Sequence, residues 1–118
     1  MYKVICGDEH PDVAERFNQI GNLYLQQGHY DKALEYCEQA LAINKTTYGD
    51  KHTDVADSLG SIGTIYASQD QYDQALEYYR QSLAVYKAND DKNIHVAVIL
   101  ENIGTIYAKQ DQHDQALD

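Results

Sequence analysis

Apolar residues recur along this chain with a helical period. From Val13 they fall at Phe17, Ile20, Leu23 and Tyr24, spaced i, i+4, i+7, i+10 and i+11. That spacing predicts one apolar stripe on a helix over about 12–27. Gly28-His29 breaks the pattern, as a turn-forming glycine does. A second stripe of Tyr30, Ala33, Leu34, Cys37, Ala40 and Leu41 predicts a helix over about 30–45. Pro11 suits a first helical position, where its missing N–H would have no partner anyway. Asp12, Asp31, Asp54, Asp73 and Asp114 each fall in an expected first turn, where the helix dipole favours a carboxylate. Their simplest role is to start helices rather than to do chemistry.

The pattern repeats. Ile20-Gly21-Asn22-Leu23-Tyr24 returns 42 residues on as Ile62-Gly63-Thr64-Ile65-Tyr66, and after a further 41 as Ile103-Gly104-Thr105-Ile106-Tyr107. Residues 20–42 and 62–84 share 13 of 23 positions, and 62–76 and 103–117 share 13 of 15. Each unit is then a helix–turn–helix hairpin, which cannot bury its apolar face alone and gains a core by stacking on its neighbours. The units run 7–48, 49–89 and 90–118. The last stops after the first turn of its second helix, and residues 1–6 match the end of a preceding second helix. The expected architecture is an all-α, right-handed superhelical solenoid of antiparallel helix hairpins, and the ends look like those of a fragment cut from a longer array. Helical glycine costs about 1 kcal/mol relative to alanine. Gly21, Gly63 and Gly104 at one phase therefore each imply a crowded contact, with Ala33, Ala75 and Ala116 opposite.

These residues resemble the tetratricopeptide repeat, whose signature runs W-x2-L-G-x2-Y, then A-x3-F, then P. The first unit offers Phe17, Ile20, Gly21, Tyr24, Ala33, Cys37 and Ala40, and the second Leu59, Ile62, Gly63, Tyr66, Ala75, Tyr79 and Ser82. The third offers Leu100, Ile103, Gly104, Tyr107 and Ala116. Lys45 and Lys87 replace the closing proline, and the period exceeds the usual 34. Long units with a G-D-x-H-x-D-V-A linker, here 7–14 and 49–56, are similar to the repeats of kinesin light chains.

The resemblance implies a protein-interaction scaffold in which first helices line a concave groove that receives a partner peptide. The groove positions would be Asn18, Asn22 and Gln26, then Ser61, Thr64 and Ser68, then Asn102, Thr105 and Lys109. Amides there can pair with a peptide backbone, and the small side chains let it approach. The plainer alternative is a solvated outer face. Two family specialisations fit poorly. A clamp for a chaperone's C-terminal carboxylate needs basic groove residues where this chain has Asn18, Val98 and Asn102, and only Asn22 matches. Cargo recognition by kinesin light chains uses a basic groove, and Lys109 is the one basic residue among these positions.

Charge narrows the partner. Nine Lys and Arg stand against 19 Asp and Glu, a formal net charge of −10. That balance argues against nucleic acid and against an anionic membrane, and for a neutral or basic protein or peptide. No apolar run is long enough for a spanning helix, and nothing reads as a signal peptide. Cys6 and Cys37 form no C-x-x-C pair, so a cytoplasmic setting is expected. His10, His52, His29 and His113 sit in linkers and turns without zinc-ligand spacing. Asp70-Gln71-Tyr72-Asp73 lacks the pattern of a calcium loop. Nothing resembles G-x-S-x-G or a phosphate loop. No metal, cofactor or enzyme activity is expected. The repeat-locked tyrosines (Tyr24, Tyr66 and Tyr107; Tyr30 and Tyr72; Tyr36 and Tyr78) read as packing, and Cys37 as a buried inert thiol. Two other functions fit the same residues: a spacer that forms homo-oligomers through its open repeat ends, or a regulatory region of a larger signalling protein.

Overall fold

The computed structural model describes residues 11–89 and 94–117, with side chains placed for 12–89 and 95–111. Five helices account for nearly all of it: α1 (Pro11–Gln26), α2 (Tyr30–Tyr48), α3 (Thr53–Ser68), α4 (Tyr72–Ala88) and α5 (Ile94–Leu117). The described residues contain no strand. Each helix packs chiefly on its neighbours in sequence, α1 with α2, α2 with α3, α3 with α4 and α4 with α5. Such one-dimensional stacking makes an elongated molecule. Its radius of gyration is 15.3 Å, against about 13.5 Å expected for a compact chain of this length.

The local signals act as the pattern predicts at most helix ends. Pro11 opens α1, and Asp12, Asp31, Asp54 and Asp73 lie in first turns. The first hairpin turns at Gly28, whose φ of 81° suits glycine. The second turns at Asp70, with φ 62°. An aspartate there is strained, and it is held by a hydrogen bond from Gln71 N to Tyr66 O (3.0 Å) and one from the Tyr72 hydroxyl to Asp70 Oδ1 (2.9 Å). Helix α2 runs three residues past the expected Lys45. With no proline there to stop it, the helix ends at Gly49, φ 88°, whose N–H bonds back to Lys45 O.

The core forms two clusters. Ala33 and Cys37 of α2 meet Ile62 and Ile65 of α3, all four fully buried. Ala56, Ala75, Leu76, Tyr79 and Tyr86 meet Ile99 and Ile106 of α5. Burying one isoleucine stabilises by roughly 1.5–3 kcal/mol, so Ile62, Ile65, Ile99 and Ile106 help hold successive hairpins together, while the most extensive packing lies within the hairpins, α1 on α2 and α3 on α4. The tyrosines of the hairpins stack in register, Tyr24 on Tyr36 (5.7 Å) and Tyr66 on Tyr78 (5.6 Å).

Gly21 and Gly63 are crowded, but not chiefly by the alanines. A Cβ on Gly21 would lie 2.5 Å from Cys37 Sγ and 3.1 Å from Ala33 O. One on Gly63 would lie 2.9 Å from the Tyr79 ring and 3.3 Å from Ala75 O. The side chain four residues after each alanine fills the slot, and the alanine contributes its carbonyl.

The third unit departs from the expectation. No turn forms at 111–113: α5 continues as one helix to Leu117, so neither His113 nor Asp114 begins a new one. A Cβ on Gly104 would meet nothing within 4 Å. Tyr107 is 47% exposed rather than packed, although its hydroxyl accepts a bond from Arg80 Nη2 (3.1 Å). Among the described residues α5 packs chiefly on α4, and no helix covers its Gly104 face. Leu23 departs for a related reason. Its counterpart Ile65 is covered by α2 and fully buried, whereas Leu23 has no preceding helix among the described residues and is 57% exposed. Residues 1–6, the 7–10 linker with His10, and the side chain of Ala116 lie outside the described residues.

Candidate recognition groove

Helices α1, α3 and α5 each contribute to one open cleft of about 290 Å³. Asn22 of α1, Ser61 and Thr64 of α3, and Asn102 of α5 line it together with Asp57, Val98 and Tyr86. Four of the nine expected groove residues therefore converge. Asn22, Ser61 and Asn102 make no side-chain hydrogen bond to other described residues, leaving their donors and acceptors turned to the cleft's solvent. Thr64 is different. Its hydroxyl bonds to Gly60 O (3.1 Å) and to the Tyr79 hydroxyl (2.7 Å), a contact that ties α3 to α4. Thr105 likewise bonds within its own helix, to Glu101 O (3.0 Å).

Asn18 stands elsewhere. Its Nδ2 donates to Ser58 Oγ (3.2 Å), which also accepts from the buried Asn44 Nδ2 (3.2 Å). Asn44 further donates to Asp54 O (3.3 Å). The three side chains pin α1, α2 and α3 together, and a buried amide left without such partners would cost about 1–3 kcal/mol. Asn18 and Asn44 floor a second cleft of about 330 Å³ rimmed by Asp12, Glu15, Asp54 and Asp57. Gln26, Ser68, Thr105 and Lys109 are exposed and line neither cleft.

The two clefts adjoin at Asp57, which borders both and accepts a hydrogen bond from the Tyr86 hydroxyl. Tyr86 is 3% exposed, and its ring stacks on His95 at 5.2 Å. This contact links α3, α4 and α5 beneath the cleft. Asp57, Tyr86 and the acidic rim were not read as groove residues from sequence. Asp57 lies one helical turn before Ser61 on the same face, and that signal could have found it. Tyr86 lies on a second helix and carried none.

The electrostatics are simple. Four carboxylates rim the α1–α3 cleft, with no Lys or Arg among its lining residues. Among the described residues no group of His, Cys, Asp and Glu is arranged to hold a metal ion. Cys37 lies in the core, where burial and then Glu38 push its thiol up to about 11. Such a thiol stays protonated and unreactive at neutral pH. Tyr79 is also raised by burial, against an opposing hydrogen bond from Thr64. Among the described residues no helix is long and apolar enough to cross a membrane.

Stacked antiparallel hairpins with first helices lining a shared cleft define a helical-repeat interaction scaffold. A family profile of the tetratricopeptide repeat matches residues 1–46 and 12–88, and the chain belongs to that family. It is similar to the crystal structure of the kinesin light chain-like protein BtubC (BKLC) from P. vanneervenii. The two superpose with a TM-score of 0.76 at 26% sequence identity, over 91% of this chain and 43% of that one. The chain thus spans less than half the length of that relative. No curated protein matches it at a significant level. Tetratricopeptide repeats are in general protein–protein interaction modules, built on a scaffold fold without catalytic machinery of its own.

Proposed function

We propose that this chain binds an extended peptide segment of a partner protein in the groove lined by α1, α3 and α5. Asn22, Ser61 and Asn102 are the contact residues, and the partner is neutral or basic. The observation that carries the reading is the convergence of those three polar side chains, each without an internal bond, in one cleft between three first helices. Preformed helices need little rearrangement to receive such a segment. The acidic rim beside the cleft favours lysine or arginine in the bound peptide and disfavours an acidic one. In this reading the chain is a cytoplasmic, non-enzymatic adaptor that needs no cofactor.

A peptide array graded from acidic to basic, probed with the purified chain, tests it. Basic and neutral peptides should bind, and Asn22→Ala with Asn102→Ala should weaken them by roughly tenfold per lost hydrogen bond at most. The melting temperature should not change, because neither amide is used internally. Binding that prefers acidic peptides, or ignores both substitutions, would remove the proposal.

A further inference from the structure

The two seams between successive units are built from different chemistry at equivalent positions. Where α1 meets α3, Asn18 reaches Ser58 (3.2 Å), and Asn44 of α2 closes on the same hydroxyl. At the repeat shifts of 42 and 41, the equivalent residues where α3 meets α5 are Gly60, Ile99 and Tyr86. A Cβ on Gly60 would lie 3.2 Å from Ile99 Cδ1, and Ile99 and Tyr86 are 6% and 3% exposed. The first seam thus rests on amides and a hydroxyl, the second on hydrocarbon and an aromatic ring. The crest of each first helix follows suit. Glu15, Asp57 and Val98 occupy one repeat position, and all three are exposed. Asp57 is exposed although α3 touches a first helix on either side, so this position faces the groove whatever packs beside it. Val98, 47% exposed, therefore presents an isopropyl group to the groove where the earlier units present a carboxylate.

We propose that the cleft between α3 and α5 is an apolar subsite that selects one aliphatic side chain of the bound peptide. The inference rests on the groove reading above and narrows it to a spaced pair of side chains. Over Val98, Gly60 and Ile99 the aliphatic group leaves water for hydrocarbon, the step that drives apolar association. Asn22, Ser61 and Asn102 line the same cleft and take the peptide's backbone N–H and C=O groups. The basic residue of the peptide sits over the α1–α3 cleft, among its carboxylates. Packed helices stand about 8–10 Å apart, and an extended chain advances about 3.3 Å per residue. One helix spacing therefore separates the basic and the aliphatic residue by about three positions.

The test uses the whole chain and synthetic peptides carrying one lysine and one leucine in a glycine–serine background. The leucine is moved step by step from the lysine, on either side. Binding should be tightest with the leucine about two to four positions away on one side, and roughly tenfold weaker when it is adjacent or absent. Val98→Asp gives α5 the side chain that α3 carries at this place, and should bind every peptide as the parent chain binds the leucine-free one. Val98→Ile should keep the preference. Val98 is exposed, so the circular dichroism of both variants should match that of the parent chain. Binding indifferent to the leucine or its spacing, or a Val98→Asp chain that keeps the preference, would overturn the subsite alone, since lysine-dependent binding sensitive to Asn22→Ala would still stand. A chain that binds none of the peptides, or binds them regardless of Asn22→Ala, would remove the groove reading and the subsite with it.

Discussion

Helices α3 and α5 share a nearly identical core segment, 62–76 and 103–117, yet live in different surroundings. In α3, Ile62 is fully buried, Gly63 is pressed by Tyr79, and Tyr66 stacks on Tyr78. In α5, Ile103 is half-buried, Gly104 faces open space and Tyr107 is half exposed. Even the backbone diverges. Asp70 turns left-handed and reverses the chain, while the equivalent Asp111 stays helical. The lesson is that the hairpin turn belongs to the packed pair rather than to the turn residues. The same local segment reverses at Asp70, where α4 packs back on α3, and runs on as helix at Asp111, where no described helix returns.

The largest test of this contrast is truncation of the core. Ile62→Ala should destabilise the fold by about 2–5 kcal/mol, and Leu100→Ala by less than about 1 kcal/mol, in matched urea titrations. Similar losses would mean that α5 is covered in solution.

Alkaline pH gives the next contrast. The folded state holds the Cys37 proton up to about 11, above its ordinary 9.0. The native state therefore binds more protons than the unfolded chain between those values, and stability falls as pH rises through them. The loss should reach about 2–3 kcal/mol at most. Exchange of α2 and α3 amides should accelerate there before that of α4 and α5, and Cys37→Ala should flatten the fall between pH 9 and 11.

The glycines should respond with opposite signs. Gly63→Ala forces a methyl against the Tyr79 ring and should cost about 1–3 kcal/mol. Gly104→Ala meets nothing and should stabilise by up to about 1 kcal/mol through helix propensity. Thermal melts of the two variants decide it, and a destabilising Gly104→Ala would show a hidden contact. The smallest effect is at the turn. Asp70→Gly relieves left-handed strain and should gain a few tenths of a kcal/mol, while Asp111→Gly should lose up to about 1 kcal/mol inside α5.

Much of the fold was legible because its signals are local and repeated. Glycine spacing, acidic first turns and two apolar stripes per unit suffice to mark α1 to α4, and the repeat-locked Tyr24 and Tyr66 do stack on partners. The groove was legible in part. Asn22, Ser61 and Asn102 follow from helical phase, but Asn18 and Thr64 are tied to Ser58 and Tyr79 across helix seams, which no single-helix pattern reveals. Asp57 shares a helical face with Ser61, but its bond from Tyr86 crosses from α3 to α4, which no single-helix pattern reveals.

What the sequence determined by itself is the repeat, its hairpin unit and the residue pattern each helix presents, since these depend on φ/ψ preference and on spacing within a few turns. Only the tertiary structure decided which copies of that pattern are satisfied. It buried Ile65 and left Leu23 in solvent, bent the chain at Asp70 and not at Asp111, and closed Gly63 while leaving Gly104 bare. The reason is that burial is a property of pairs of helices, and an identical segment keeps its chemistry but not its neighbours.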